Sequence, residues 1–208
     1  MLNYNENKQY GKGTTRDIFR LFRATVSQPN LHEGEMHIAQ ILPDGSVQKA
    51  NFCGPGTDIM KRIDQKGITL VDTISKEHDL AYMLSSMELD RKKRMAKVKE
   101  ADKKMLERLK KAKKKKLDKS ANILVAQAGI LGKQVLEKHG SKIGKAVAGP
   151  VGELTGKLLE RRLEALADPK SYTHEEYTRA LEGKQKISEE LDQKGVGYKL
   201  RQKLKILN

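Results

Sequence analysis

Apolar residues recur at helical intervals along most of the chain, and this pattern predicts a mainly helical protein. The first such stretch places four apolar side chains on one face of a short helix, namely Ile18, Leu21, Phe22 and Val26. Thr15 is of the residue type expected at the N-cap of that helix. Residues 1–35 are therefore predicted to form an N-terminal anchor segment, in which an irregular polar start precedes the helix.

Two apolar runs within residues 36–51 flank the sequence Pro43-Asp44-Gly45, whose residue types favour a turn. This arrangement predicts a short β-hairpin. Further along, the pattern predicts a longer helix from about residue 71 to residue 89, with Asp72 or Thr73 as its N-cap.

Asp90 is suited to cap the next helix, so we expect two consecutive helices with a reversal of the chain near this residue. His78 lies twelve residues before Asp90, and Asp102 lies twelve residues after it. At the rise of an α-helix, both residues would lie about 18 Å from the reversal. The side chains of His78 and Asp102 are therefore expected to face each other.

From residue 119 to residue 208 the sequence is typical of a basic, amphipathic helical tail. Two apolar stripes at helical spacing lie within it: Leu124, Ala128, Leu131 and Val135, then Ile143, Val147, Val151, Leu154 and Leu158. Gly149-Pro150 should kink the second helix, and a capping box at Thr173 and Glu176 should begin a last one. Two interpretations stay open for the stripes: helices that lie on a membrane surface, or helices that pack against others or a partner.

Composition limits the size of the core and indicates the kind of partner. Only 37% of the 208 residues are hydrophobic and 4% are aromatic, so we expect a small folded unit at residues 36–118. The net charge is +15, and residues 91–120 carry sixteen Lys or Arg against four acidic residues, a net +12. Such a segment attracts phosphate, either on an anionic membrane or on a nucleic acid.

The cysteine count and the apolar runs indicate where the protein is made. Cys53 is the single cysteine, so an intrachain disulfide is excluded. The N-terminus lacks the apolar stretch of a signal peptide, and no run of about 18 apolar residues could span a bilayer. We therefore expect a protein made without membrane insertion, in a reducing compartment.

Three side chains on the predicted helix pair could hydrolyse an ester. A histidine can act as general base near neutral pH when a carboxylate fixes its tautomer. His78 is the candidate base, and Asp102 is the candidate carboxylate. Tyr82 follows His78 by one helical turn and could donate a hydrogen bond to Asp102.

A glycine-rich turn and a second aspartate could hold a metal ion beside this base. Ca²⁺ is a hard cation that binds carboxylate and backbone carbonyl oxygens. Asp79 could supply the carboxylate oxygen. Gly54 and Gly56 could present carbonyl oxygens, because glycine adopts turns that bulkier residues resist.

Three segments carry a resemblance to a known family: Phe52-Cys53-Gly54-Pro55-Gly56, Lys76-Glu77-His78-Asp79-Leu80-Ala81-Tyr82 and Ala101-Asp102. In this order they resemble the phospholipase A2 domain of parvovirus minor capsid proteins, over about residues 50–110. The resemblance implies a core of two antiparallel helices with a glycine-rich calcium loop. It also implies calcium-dependent attack on the sn-2 ester of phospholipids.

The family's residue roles can be transferred to matching positions of this sequence. The implied catalytic residues are His78 as base, Asp102 as its orienter and Tyr82 as support for Asp102. The implied calcium ligands are Asp79 and the carbonyl oxygens of Phe52, Gly54 and Gly56. The Gly54 amide, together with the ion, would stabilise the oxyanion.

Two hypotheses from different classes follow. The first is a calcium-dependent, phospholipase A2-like viral structural protein that is made in the host cytoplasm or nucleus. It would be carried in the virion and would hydrolyse host phospholipids when the virus enters the cell. The alternative is a non-enzymatic minor capsid or virion protein that retains the fold and binds genome or capsid through its basic helices. The expected partners are an anionic phospholipid membrane, capsid proteins and nonspecifically bound nucleic acid.

Overall fold

The computed structural model describes residues 6–26, 37–54, 56–139 and 169–198. These residues form five α-helices and a two-stranded antiparallel sheet, so the prediction of a mainly helical fold is confirmed. The elements in chain order are α1 (Glu6–Val26), β1 (Ala39–Ile41), β2 (Val47–Lys49), α2 (Leu70–Ser86), α3 (Arg91–Lys115), α4 (Ser120–His139) and α5 (His174–Leu191). A π-helical turn over Asp192–Val196 follows α5. No helix among the described residues is both long enough and apolar enough to cross a membrane.

Helix α1 is longer than the sequence pattern predicted. It begins at Glu6, so Thr15 lies inside the helix and the prediction of Thr15 as N-cap is wrong. Glu, Lys and Gln before Thr15 are good helix formers, so the helix extends back into the polar start that was expected to be irregular. Leu21 is buried in a small cluster with the hairpin and α4, whereas Phe22 is about half exposed.

Strands β1 and β2 pair with Gln40 opposite Gln48. The hairpin is tied to the glycine-rich turn that follows it, because the Ile38 amide donates to the Cys53 carbonyl at 2.7 Å. It is also tied to α4, because Asn122 accepts from the Ile41 amide and donates to the Ile41 carbonyl, both at 2.9 Å. The hairpin therefore connects the turn and α4.

Helices α2 and α3 form the centre of the fold. Thr69 caps α2 by accepting a hydrogen bond from the Asp72 amide, so the prediction that Asp72 or Thr73 is the N-cap is wrong. The carboxylate of Asp72 is bonded to the glycine-rich turn instead. Asp90 caps α3 through the Lys93 amide, as predicted.

Fifteen of the seventeen residues of α2 are buried, because α3, α4 and α5 all pack against it. Its apolar side chains, such as Ile74 and Leu80, belong to the main core cluster with Leu109 of α3 and Ile123 of α4. Burial on all sides also encloses polar residues of α2, which must find partners inside the protein.

Helix α4 buries a different face from the stripe noted in the sequence. Ile123, Ala126 and Ile130 point into the main core, while Ala128 and Leu131 are exposed. The second stripe, from Ile143 to Leu158, and Gly149-Pro150 lie outside the described residues.

Helix α5 begins with the capping box formed by Thr173 and Glu176, as predicted. Its buried face packs against α2, and the turn after it closes with Gly195 at a φ of 77°, a conformation that favours glycine. Arg108 of α3 donates hydrogen bonds to the last turn of α5 and to the π-helical turn after it. We call Glu77, Arg108, Ser188 and Asp192 the Arg108 network.

The Arg108 network joins α2, α3 and α5 through a guanidinium group that is fully buried. Its Nε lies 2.6 Å from Glu77 Oε2, and its terminal nitrogens donate to Glu77, Ser188 and Asp192 at 2.9 Å. A bond to the Val196 carbonyl, also at 2.9 Å, completes the set. The network satisfies a charge that would otherwise be costly to bury.

Candidate active site

His78 and Asp102 meet between α2 and α3. The imidazole Nε2 lies 2.8 Å from Asp102 Oδ1, and the exposed fractions of the two residues are 6% and 1%. An ionised carboxylate only accepts hydrogen bonds, so Nε2 carries the proton that forms this bond. In the neutral imidazole, Nδ1 then has the lone pair and can accept a proton.

Asp102 stays ionised in spite of its burial. Burial raises the pKa of this carboxyl, but the hydrogen bond and charge of His78, and then the charge and hydrogen bond of Lys133, lower it to about 2. At neutral pH the carboxylate can therefore orient His78 and stabilise an imidazolium that forms during proton transfer.

Tyr82 completes the predicted trio. Its hydroxyl donates to Asp102 Oδ1, the same oxygen that His78 uses. The rings of His78 and Tyr82 lie 4.1 Å apart between centroids, as expected for residues one turn apart on α2. The structure thus brings together all three residues to which the sequence assigned catalytic roles.

Lys133 of α4 also belongs to this cluster, and sequence reasoning missed it. Its Nζ lies 2.5 Å from Asp102 Oδ2 and donates to the Tyr82 hydroxyl at the same distance. The lysine is 5% exposed. Its position among small and apolar residues of α4 was the one available signal, but Lys at irregular intervals is common throughout this chain. We call the pair of His78 and Asp102 the dyad, and this pair together with Tyr82 and Lys133 the dyad cluster.

Asp79 lies on the other side of the imidazole ring. Its Oδ1 is 3.4 Å from His78 Nδ1, and the side chain is buried. When Nδ1 has a lone pair, His78 Nδ1 and Asp79 Oδ1 are both hydrogen-bond acceptors. A proton donor such as water, or a cation, could bind to two acceptors placed in this way. Asp79 also acts on the thiol of Cys53, since its charge raises the pKa of that group.

The glycine-rich turn directs two carbonyl oxygens to one point. The Thr57 hydroxyl donates to the carbonyls of Phe52 at 3.3 Å and Gly54 at 3.5 Å. Gly56 has a φ of 84°, which a larger residue would adopt only with strain. Within the described residues, no shared partner joins the Gly56 carbonyl to the other two.

Asp72 is the second residue that sequence reasoning missed, because it was considered only as a helix cap. Its buried carboxylate accepts from the amides of Phe52 and Cys53 through Oδ1, and from those of Asn51 and Ile68 through Oδ2, all at 2.9–3.0 Å. Four backbone donors to one carboxylate fix the turn against the first turn of α2. The position of the turn relative to His78 therefore depends on Asp72.

The single cysteine is not suited to act as a nucleophile. Cys53 is buried, and burial raises the pKa of its thiol to about 12, with the charges of Asp72 and Asp79 acting in the same direction. A thiol in this state reacts poorly because the thiolate is the nucleophile.

The oxygen atoms at this site have the chemistry that calcium requires. Among the described residues, no group of three or more His, Cys, Asp or Glu side chains could hold a metal ion. The carbonyls of Phe52 and Gly54 and the carboxylate of Asp79 are hard oxygen donors, whose chemistry suits Ca²⁺ better than a transition metal. The charge of Asp79 acts on Cys53, which lies between these two carbonyls in the turn.

A cleft lies beside α2 and α5, away from the His78–Asp102 pair. It encloses about 1140 Å³ between residues 63–70, the start of α2 and α5, and Lys76 lines it. Lys76 donates to the carbonyls of Ile63 at 2.6 Å and Gln65 at 2.5 Å. Neither His78 nor Asp102 lines this cleft, so it is separate from the dyad cluster.

Comparison with known proteins finds a similarity in the central part of the chain. Residues 45–124 match the sequence model of the phospholipase A2-like domain family. The match contains the glycine-rich turn, His78, Asp79, Tyr82 and Asp102, and confirms the resemblance seen in the sequence. No curated protein and no solved structure matches the chain significantly.

Proposed function

We propose that this protein is a calcium-dependent phospholipase A2 that hydrolyses the sn-2 ester of phospholipids. The match to a phospholipase A2-like domain supports this class of activity at the level of the family. The observation that carries the proposal is the buried bond between His78 and Asp102. The glycine-rich turn adds two carbonyls that share the Thr57 hydroxyl, and the charge of Asp79, next to His78, acts on Cys53 in that turn. Ester hydrolysis by water requires a base that accepts a proton from the water and a carboxylate that orients the base. It also requires a group that stabilises the oxyanion, and an oxygen-rich turn could provide this by binding a cation.

The proposed chemistry begins with a water molecule at His78 Nδ1. The imidazole accepts a proton from this water as its oxygen attacks the ester carbonyl, and Asp102 stabilises the resulting imidazolium through the Nε2 proton. The imidazolium then gives the proton from Nδ1 to the oxygen of the leaving lysophospholipid. Tyr82 supports Asp102 throughout by donating to its Oδ1.

Asp79 and the carbonyls of Phe52 and Gly54 are the groups that would hold calcium. When bound, the ion would neutralise the negative charge that develops on the ester oxygen. The Gly56 carbonyl is included in the proposed set on the resemblance alone. The Gly54 amide is proposed as a further donor to that oxygen on the same basis.

We also propose that the enzyme is a structural component of a virus and acts on host membranes when the virus enters the cell. This part of the proposal rests on the resemblance to parvovirus minor capsid proteins. The basic character of residues 91–120 supports attraction to an anionic lipid surface.

Release of fatty acid from vesicles of phosphatidylcholine and phosphatidylglycerol tests the enzyme. The purified protein should release fatty acid with calcium and stop when a chelator is added. Products should be fatty acid from the sn-2 position and the corresponding lysophospholipid. His78→Gln, purified in the same way, controls for a contaminating lipase and should be inactive. Vesicle binding without any release, at every calcium concentration, would contradict the proposal.

A second candidate function is nonspecific binding of a polyanion. Helix α3 and the turn after it expose most of their lysines, including Lys113, Lys114, Lys115 and Lys116. Such a surface could hold a genome or an acidic face of a capsid without any catalysis. DNA affinity that falls steeply with salt and is unchanged in His78→Gln would support it. Absent or salt-insensitive binding would count against it.

A further inference from the structure

We propose that Lys133 is a positioning residue of the active site, so that the catalytic unit extends into α4. This inference rests on the proposed function, because Lys133 would act through Asp102 on the base. It goes beyond the family resemblance, since the matched segment ends at residue 124.

The geometry shows how one lysine can control both supports of the base. Asp102 Oδ1 receives the His78 Nε2 proton and the Tyr82 hydroxyl, while Oδ2 receives Lys133. The same ammonium donates to the oxygen of the Tyr82 hydroxyl. Lys133 thereby fixes the rotation of the carboxylate and directs the hydroxyl hydrogen of Tyr82 towards Asp102. With the carboxylate held in this rotation, Asp102 Oδ1 stays in position to accept the Nε2 proton of His78.

The position of Lys133 is itself determined by other contacts of α4. Asn122, near the start of α4, pairs with both polar groups of the Ile41 backbone. Ile123, Ala126 and Ile130 pack into the main core and set the rotation of the helix. Lys133 lies on this buried face, so its ammonium is delivered to the site by a rigid element.

A purely structural ion pair is the competing explanation. It predicts that loss of Lys133 lowers stability and leaves the bond between His78 and Asp102 as it was. A positioning role predicts that the bond itself loosens and that kcat falls more than KM rises. These two expectations can be measured separately.

The test compares Lys133→Met with Lys103→Met. Lys103 is exposed and adjacent in sequence to Asp102, so its loss removes a nearby charge without removing a hydrogen bond. Lys133→Met should lower kcat about 10- to 100-fold with KM within about threefold, as expected for a group that orients a reactive one. Lys103→Met should leave kcat within about twofold, because loss of attraction to the lipid surface would change KM instead, and Lys133→Arg should restore much of kcat.

A spectroscopic measurement on the protein without lipid separates this inference from the proposed function. The Nε2 proton of His78 should give a downfield NMR signal that is protected from exchange and absent in His78→Gln. In Lys133→Met this signal should shift upfield or broaden by faster exchange, and in Lys103→Met it should persist. This readout is valid even if the wild-type protein releases no fatty acid.

Two outcomes would overturn the inference. One is an unchanged His78 signal in Lys133→Met, whether or not the protein releases fatty acid. The other is failure of the Met, Gln and Arg variants at position 133 to fold, which would assign Lys133 a structural role. If only Lys133→Met fails to fold, Lys133→Gln replaces it in both measurements.

Discussion

Two clusters of buried charge lie side by side on the α2–α3 pair, and they differ in what they leave available. In the Arg108 network, the terminal nitrogens of the guanidinium donate to Glu77, Ser188, Asp192 and a carbonyl, so these donors are used for structure. In the dyad cluster, His78 uses one ring nitrogen for Asp102 and presents the other towards Asp79. The comparison teaches that burial of charge by itself does not indicate catalysis.

Both clusters begin at adjacent residues of α2. Glu77 and His78 point in directions about 100° apart, because successive residues of an α-helix are separated by that angle. Glu77 therefore reaches Arg108 and α5, whereas the dyad cluster recruits Lys133 from α4. One helix thus carries a structural site and a chemical site on two of its sides.

The largest expected effect comes from the chemical side. His78→Gln should lower the rate of fatty acid release about 10⁴-fold, because the base that accepts the proton is lost. Its free energy of unfolding should stay within ~1 kcal/mol of wild type, since glutamine can still donate to Asp102. Fatty acid release and urea unfolding of the same preparation measure the two quantities. Full activity in His78→Gln would show that the dyad cluster, like the Arg108 network, has only a structural role.

The structural side should show the opposite result. Arg108→Met leaves Glu77 buried without its main partner, so the free energy of unfolding should fall by about 3–5 kcal/mol. Lys110→Met removes an exposed charge from the same helix and should change it by less than ~0.5 kcal/mol. Urea unfolding followed by circular dichroism gives both values. Unchanged stability in Arg108→Met, combined with lost activity, would show that the network serves the chemistry.

Acid should weaken the dyad cluster in a defined window. The pKa of Asp102 is about 2 in the folded protein and 3.8 in the unfolded chain. The ionised carboxylate therefore contributes to the free energy of unfolding above about pH 4. This contribution, on the order of 2 kcal/mol, is lost as the pH falls towards 2. The stability advantage of wild type over Asp102→Asn should therefore shrink between pH 5 and pH 2.5.

A control strengthens the acid experiment. Glu182 is exposed on α5, and the difference between wild type and Glu182→Gln should be nearly constant over the same pH range. Urea unfolding at each pH supplies the comparison. A constant difference for Asp102→Asn as well would mean that Asp102 is not held ionised by His78 and Lys133.

The smallest expected effect concerns the glycine-rich turn. Thr57→Val removes the hydroxyl that donates to the carbonyls of Phe52 and Gly54, at a cost of about 0.5–1 kcal/mol in chelator. In saturating calcium the difference from wild type should narrow, because the same carbonyls would then bind the ion. Thermal unfolding with and without calcium tests this. An equal loss in both conditions would argue against a calcium site at these oxygens.

Local sequence signals were sufficient for several parts of the structure. Asp90 and Thr173 were recognised as caps because capping depends on residues within one turn of the chain. The facing positions of His78 and Asp102 followed from equal spacing on both sides of the reversal. The same local signals failed at Thr15 and Asp72, where a longer helix and a distant turn changed the role of the side chain.

By itself, the sequence determined the mainly helical fold, the antiparallel pair of α2 and α3, and the candidate residues His78, Tyr82 and Asp102. These depend on periodicity and spacing, which are readable along one chain. Only the tertiary structure decided that α4 turns Lys133 towards Asp102 and that Asp72 holds the glycine-rich turn. Those contacts join residues that are far apart in sequence, and the packing of several elements, rather than any local preference, selects them.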